Sequence, residues 1–229
     1  MIIPTEEEIN AFNMDIKDFF DTLCDEKKWL SEDLRAIELP LLGGKICDFG
    51  CGFGHTTFCL MSILGASEAI GIDIDPNVIK RARLWFEAVK YYIEHSTEEK
   101  LSDSEITQQT YLTLGIVKPP EYMVGDVLSG KNLPSGISLA YCRRLLVNIY
   151  GGDYTDNLSG IDRTKLAIKN MVNTIIPGGW FIAVEEVSRI NFGPFFVEEN
   201  LCCVKINRYN YKGVLPHDLY VYMKPLIVC

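Results

Sequence analysis

Three short stretches combine acids and glycines in a way that can do chemistry. The first is Asp48-Phe49-Gly50-Cys51-Gly52-Phe53-Gly54, which follows the apolar run Lys45–Phe49 and precedes the helix-like run His55–Leu64. Glycines in such a turn let the backbone approach a ligand closely and take dihedrals closed to other residues. The helix behind the turn presents free N–H groups that suit an anionic group. The second stretch, Gly71-Ile72-Asp73-Ile74-Asp75, closes another apolar run. Asp73 sits there roughly 20 residues past the first glycine, where an acid accepts hydrogen bonds from both hydroxyls of a ribose. Asp75 has a simpler role as the cap of the next helix, with Pro76 at the first helical position. The third stretch, Gly125-Asp126-Val127, closes a third run. Its carboxylate can accept from an exocyclic adenine amine while the Val127 backbone serves the ring. Gly-Asp is also a common turn, so the agreement of the three sites matters more than any one of them.

The elements that must position these residues follow from periodicity. Thr5 and Glu8 have capping-box spacing, and Ile9, Phe12, Ile16, Phe19, Phe20 and Leu23 recur at helical period, so a helix is expected over 5–24. A second short helix is expected from Ser31 to just before Pro40. Strands are expected at 45–49, 69–73, 122–124, 137–142, 180–187, 201–209 and 219–228. Helices are expected at 55–64, from Pro76 onward with Val78, Ala82, Trp85, Val89 and Tyr92 on one face, and at 161–176. Residues 94–119 are polar and read as a surface insertion; 151–160 read as a loop. Strands that alternate with helices make a parallel sheet covered on both faces. The last two strands have no helix-length segment between them and are expected to pair antiparallel. The ligand site of such a sheet lies at the carboxyl ends of its strands, where all three acidic stretches fall.

Composition bounds the reading. The 229 residues carry a net charge of −9, with 48% hydrophobic and 23% charged residues. These values suit an ordinary globular chain and exclude disordered, collagen-like and low-complexity classes. An acidic balance argues against non-specific nucleic-acid binding, which depends on clustered Lys and Arg. No segment approaches the roughly 20 apolar residues of a membrane span. The start MIIPTEEEIN has no basic region followed by an apolar run, so no secretory signal is expected. The eight cysteines form no CxxC pair and no block with zinc spacing, and most lie in apolar runs. A reduced, cytoplasmic protein without metal or disulfide framework is expected.

At this point the chain resembles the class I S-adenosylmethionine-dependent methyltransferases. ICDFGCGFG is similar to their first motif, AIGIDID to the second, VGDV to the third and LAYCRRLLVNI to the fourth. IIPGGWFIAVEEV resembles their fifth-strand segment. The resemblance covers about residues 45–187. It implies an α/β fold with three layers and a seven-stranded, mostly parallel sheet of order 3-2-1-4-5-7-6, strand 7 antiparallel. It implies one domain over 1–229, with 1–42 as a helical cap or lid. It also implies roles. Asp48 and the main chain of Phe49, Gly50, Cys51 and Gly52 would hold the methionine part of the cofactor. Asp73 would bind the ribose, Ile74 would lie against adenine, and Asp126 and Val127 would meet the adenine edge. Cys142 would pass beside the methionine moiety, with Phe53 and His55 as further contacts.

The reaction implied is direct displacement at a sulfonium methyl, in which positioning and desolvation carry much of the catalysis and a base is needed only if the acceptor must lose a proton. No triad is present. The family's Asn/Asp-Pro-Pro-Tyr motif is absent after the fourth strand, where Cys142-Arg143-Arg144-Leu145 stands. That speaks against methylation of DNA bases or glutamine. A small-molecule acceptor is expected. Arg143 and Arg144 could attract an anionic substrate or form ion pairs. Tyr150, Tyr154 and the group Phe192, Phe195, Phe196 could line an acceptor pocket or belong to the core. Glu185 or Glu186 could serve as a base. Trp29, Phe19 and Phe20 could face the site from an N-terminal lid, whereas His95 and His217 show no partner in sequence. The alternatives are a protein side-chain methyltransferase, a nicotinamide-dependent oxidoreductase and a non-catalytic partner subunit. The turn reads GxGxG instead of GxGxxG, and Asp48 stands where a nicotinamide fold keeps an apolar residue. Both features oppose the oxidoreductase.

Overall fold

The structure, a computed structural model, describes residues 16–35, 37, 43–84, 120–186, 190–209 and 217–226. In chain order its elements are α1 (Ile16–Arg35), β1 (Lys45–Phe49), α2 (His55–Leu64), β2 (Glu68–Asp73), α3 (76–84), β3 (Glu121–Val124) and β4 (Ile137–Arg143). They continue with α4 (Leu145–Gly151), α5 (Gly160–Thr174), β5 (Ile175–Glu186), α6 (Gly193–Glu198), β6 (Cys202–Tyr209) and β7 (His217–Met223). The seven strands form one sheet of order β3-β2-β1-β4-β5-β7-β6. All neighbours pair parallel except β7, which runs antiparallel to both β5 and β6. The expected order and strand directions are those observed.

Two apolar layers cover the sheet. On one face α1 and α2 bury Leu23, Leu30, Leu34, Leu60 and Leu64 against Ile46, Leu139, Tyr141, Ile182, Val184, Leu219 and Val221. Leu23, Leu30 and Leu34 recur at helical period, which is why α1 lays one stripe on the strands. On the other face α4, α5 and α6 pack on Cys47, Phe49, Ala140, Cys142, Phe181, Ala183 and Tyr222. Both layers close over β1 and β4, so these central strands are buried on both sides and read as nearly continuous apolar runs.

Several boundaries differ from expectation for identifiable reasons. The break between two N-terminal helices does not occur; α1 runs through Asp-Glu-Lys-Lys-Trp-Leu at 25–30, a stretch with no Gly or Pro to stop it. The expected helix start at 5–15 and the end near Pro40 lie outside the described residues, as do Trp85, Val89, Tyr92, His95 and the 94–119 insertion. The helix expected to reach Ile176 ends at Thr174, and β5 begins at Ile175, which pairs with Ile137. Pro177 disfavours helical dihedrals at Ile176, and the register shift between Ile137 and Leu139 absorbs 176–179 as a bulge. Gly178, at φ +78°, donates its N–H to the Lys224 carbonyl at 2.8 Å. β7 starts at His217 and stops at Met223, ahead of Pro225. Short helices α4 and α6 fall in stretches where the sequence predicts no element, save Gly151, the first residue of the expected loop. In α6 the Phe196 ring stacks on Tyr222 at 4.7 Å. Phe192 and Phe196 are fully buried in the core, so they line no pocket. Among the described residues no helix is long and apolar enough to cross a membrane.

Candidate active site

The glycine turn sits at the carboxyl end of β1 and is held from three sides. Gly50, Gly52 and Gly54 all have positive φ, at +74°, +52° and +86°. The Ile72 carbonyl accepts from the N–H of both Gly50 and Cys51, at 2.7 and 2.9 Å. The Tyr122 hydroxyl of β3 donates to the Gly54 carbonyl at 3.0 Å. A Cβ on Gly54 would meet that hydroxyl at 2.5 Å, and one on Gly50 would press Leu145 at 3.1 Å, but one on Gly52 would meet nothing within 4 Å. The turn is packed underneath and open above Gly52, where a ligand can approach main chain.

Asp73 closes β2 beside this opening. Its carboxylate accepts from the N–H of Gly52 and of Asp75, each at 3.1 Å. Those bonds orient it, and a carboxylate has lone pairs left for two further donors. Asp75 caps α3 by accepting from the Asn77 N–H at 2.8 Å. Next in the chain, Ile74 is 62% exposed. Phe53 is exposed as well, with the Arg81 guanidinium 5.5 Å from its ring centre. Past β3, Asp126 forms an isolated bridge with Lys131 and accepts from the Leu128 N–H at 2.8 Å. The Val127 carbonyl accepts from Asn170 of α5 at 2.8 Å. Since β3, β2 and β1 are adjacent, the three acidic stretches come to one edge of the sheet.

Asp48 lies beneath the turn. It is 2% exposed and accepts from the Thr57 hydroxyl at 2.7 Å. Burial pushes its carboxyl up to about 7, with the Thr57 bond and Arg143 opposing and Glu26 and Asp73 adding to the rise. The side chains of Phe49 and Cys142 are fully buried, so these two residues offer the site only main chain. Burial also pushes the thiols of Cys47, Cys51 and Cys142 up, so each is a neutral thiol instead of a nucleophilic thiolate.

The second half of the edge is a cleft between α1 and the ends of β4, β5 and β7. Its walls are Trp29, Arg143, Arg144, Val184, Glu185, Glu186 and His217, and it encloses ≈ 290 Å³ including its open mouth. Arg143 pairs with Glu26 at 2.9 Å and stacks 4.0 Å over the Trp29 ring. Glu26 also accepts from the Thr56 hydroxyl, so one α1 carboxylate clips the helix to both α2 and β4. Arg144 pairs with Glu186 at 2.9 Å. His217 Nε2 lies 3.3 Å from the Asp33 carboxylate of α1. Glu185, 1% exposed, accepts from the N–H groups of Leu146 and Val147 at 3.0 and 3.1 Å. Burial pushes Glu185 up to about 7, and the donated N–H groups hold it from rising further.

These pairings decide between the sequence alternatives. Arg143 and Arg144 are in ion pairs, His217 has a carboxylate neighbour, and Trp29 faces the cleft. Tyr150 and Tyr154 lie outside the cleft walls: Tyr150 packs on the second core layer, and Tyr154 lies 4.5 Å over the Arg163 guanidinium. The side chains of Phe19 and Phe20 lie outside the described residues. Burial lowers the pKa of His55, which is half-buried at the start of α2. Among the described residues no group of His, Cys, Asp and Glu could hold a metal ion. Thr57, Glu26, Asp33 and Tyr122 were not singled out from sequence; Thr57 acts through Asp48 nine residues away and the other three through partners far along the chain, and no local spacing marks them.

The glycine turn, the three acids and the strand order give the chain the seven-stranded fold of the class I methyltransferases. A family model described as "Methyltransferase domain" matches residues 42–108. Among curated proteins, the ribosomal protein L11 methyltransferase of Cupriavidus metallidurans is 31% identical over 109 residues, covering 48% of this chain and 33% of the relative. The same-named protein of Escherichia coli O1:K1 is 49% identical over 45 residues, covering 20% of this chain and 15% of the relative. The matched part thus spans a third or less of the length of these relatives. Among solved structures, magnesium protoporphyrin IX methyltransferase from Synechocystis, with bound S-adenosylmethionine, is similar at TM-score 0.52 and 15% identity, over 89% of this chain and 79% of that one. N-methyltransferase NodS from Bradyrhizobium japonicum is similar at TM-score 0.54 and 14% identity, over 88% and 97%. At these identities the structural likeness is one of fold.

Proposed function

We propose that this domain transfers the methyl group of S-adenosylmethionine to a small polar acceptor seated in the cleft beside Trp29, Arg143 and His217. Asp73 carries the reading. Its carboxylate is oriented by two backbone N–H groups, keeps capacity for two hydroxyl donors, and stands beside a glycine turn with open space above Gly52. A ribose diol fits that arrangement. The main chain of Gly50 and Gly52 would take the amino-acid end of the cofactor, Ile74 one face of adenine, and Asp126 and Val127 its edge. Asp48 would act from below, since its carboxyl is covered and holds Thr57.

When bound, the cofactor supplies an activated methyl group whose leaving sulfur needs no acid. The residues of the chain position and dry the acceptor. The Trp29–Arg143 stack roofs the cleft, Val184 lines it, and α1 is clipped down over it by Glu26. That is the entropic and desolvation share of catalysis. Five of the cleft's seven wall residues are charged or polar, which suits a polar acceptor. A protein side chain is the second reading, favoured by the name of the curated relatives. No disulfide joins Cys47, Cys51, Cys59, Cys142, Cys202 or Cys203.

Calorimetric titration with S-adenosylhomocysteine tests the reading, with NADH as comparison and Asp73→Ala as control. Saturable binding that the variant loses and NADH does not reproduce is the expected result. No binding, or preference for NADH, removes the methyltransferase reading.

A further inference from the structure

Helix α5 holds two separate loops on one face. Arg163, in its first turns, donates to Asp156 at 2.9 Å, to the Leu158 carbonyl at 3.1 Å and to the Gly152 carbonyl at 3.4 Å. The loop between α4 and α5 therefore wraps around one buried guanidinium, gripped at both ends and in the middle. Two turns further on, Asn170 donates to the carbonyls of Val127 and Leu128, at 2.8 and 3.0 Å. Residues seven apart in a helix share a face and stand about 10 Å apart along the axis. Hence the loop that follows Asp126 and the loop that carries Tyr154 are fastened side by side.

Tyr154 is the aromatic group this loop displays. Its ring lies 4.5 Å over Arg163 and backs onto Gly152, where a Cβ would meet it at 2.6 Å. With its back held, the ring still leaves 39% of the residue exposed. An exposed tyrosine normally keeps two free rotors, and here the guanidinium and the glycine have already removed that freedom. The hydroxyl also feels the charge of Asp126, which agrees with the two loops being neighbours.

Resting on the function proposed above, we propose that Tyr154 is the outer wall of the purine site, packing against the adenine near the edge read by Asp126, and that Arg163 is its positioning residue. The acceptor cleft, lined by Trp29, Arg143 and His217, does not include it. Asp126 supplies polarity for the exocyclic amine and Tyr154 supplies an aromatic surface. Stacking of a base on an aromatic side chain is worth about tenfold in affinity or more.

The test uses S-adenosylhomocysteine as probe on the full chain, with Tyr154→Leu and Tyr154→Phe. Tyr154→Leu keeps bulk but removes the ring, and about tenfold weaker binding is expected with the melting temperature unchanged. Tyr154→Phe is expected to bind within about twofold of the unsubstituted chain. NMR cross-peaks between the Tyr154 ring protons and purine H2 or H8 are expected in the complex and report contact directly. Unaltered affinity of Tyr154→Leu, or a bound purine without those cross-peaks, overturns the assignment while leaving the methyltransferase reading intact. If the unsubstituted chain binds no S-adenosylhomocysteine, the function itself falls and the assignment with it, which is a different result from the first two.

Discussion

The Asp33 carboxylate of α1 lies 3.3 Å from Nε2 of His217, the first residue of β7, across 184 positions of sequence. Both groups are buried. With the Glu26–Arg143 pair this contact gives α1 two polar attachments to the carboxyl edge of the sheet, beside the apolar stripe of Leu23, Leu30 and Leu34. Asp33→Ala removes the carboxylate beside the buried imidazole. A loss of about 1–3 kcal/mol is expected from the unmade hydrogen bond, read as a lower urea midpoint. Asp33→Asn should lose less, because an amide still offers the ring a partner.

Asp48 makes stability depend on pH with a definite sign. In the unfolded chain it ionises near pH 4; in the folded chain burial holds the proton to about 7. Between those values folding takes up a proton, so the Asp48 contribution is complete below about pH 4 and is lost as pH rises to about 7. Asp48→Asn keeps an acceptor for Thr57 and cannot ionise. The variant should be more stable than the parent at pH 8.5 by on the order of a few kcal/mol, and by roughly a third as much at pH 5. Urea midpoints at the two pH values check this. A gain of equal size at both would refute it.

Glu185 caps a helix from outside that helix. Arg144, the residue before α4, has φ +54° and no capping side-chain bond. The first N–H groups of α4 are served by Glu185 at the end of β5 instead. Glu185→Ala should cost about 2 kcal/mol and speed hydrogen exchange at the Leu146 and Val147 amides, with α5 amides unaffected. Glu185→Gln keeps one acceptor and should show a smaller change. That change shrinks as pH rises from about 4.5 to about 7 and then levels off, because only the parent carries a carboxyl whose ionisation folding opposes.

Gly52 and Gly54 should separate binding from folding. Alanine at Gly54 meets Tyr122 at 2.5 Å and takes φ +86°, so a loss of about 2–4 kcal/mol is expected from overpacking and left-handed strain together. Alanine at Gly52 has room and carries only the strain, about 1 kcal/mol. Its Cβ, however, fills the space above the turn. Gly52→Ala should therefore melt close to the parent yet lose S-adenosylhomocysteine binding in calorimetry.

Much of the fold was legible because its signals are local. Each of β1 to β4 is an apolar run next to a glycine or acid, and α2 ends at Gly65 in the left-handed conformation, as the sequence suggests. The misplaced boundaries came where a local cue competed with pairing. Ile175 joins β5 because Ile137 lies beside it, although the helical pattern continues past it. Phe192 and Phe196 have the composition of a binding pocket, but Phe196 packs on Phe181 and Tyr222 and Phe192 on Tyr220, inside the core.

By itself the sequence located the glycine-turn half of the candidate site, since strand, glycine turn and terminal acid are contiguous and their geometry follows from the backbone. Only the tertiary structure decided the other half. Arg143 became a roof stacked on Trp29, His217 gained Asp33, Glu185 became the cap of α4, and Tyr154 was set on Arg163 beside the Asp126 loop. Each of these depends on residues from distant segments meeting at one sheet edge. No periodicity or spacing encodes such a meeting; it exists only once the apolar layers have closed and brought the carboxyl ends of the strands together.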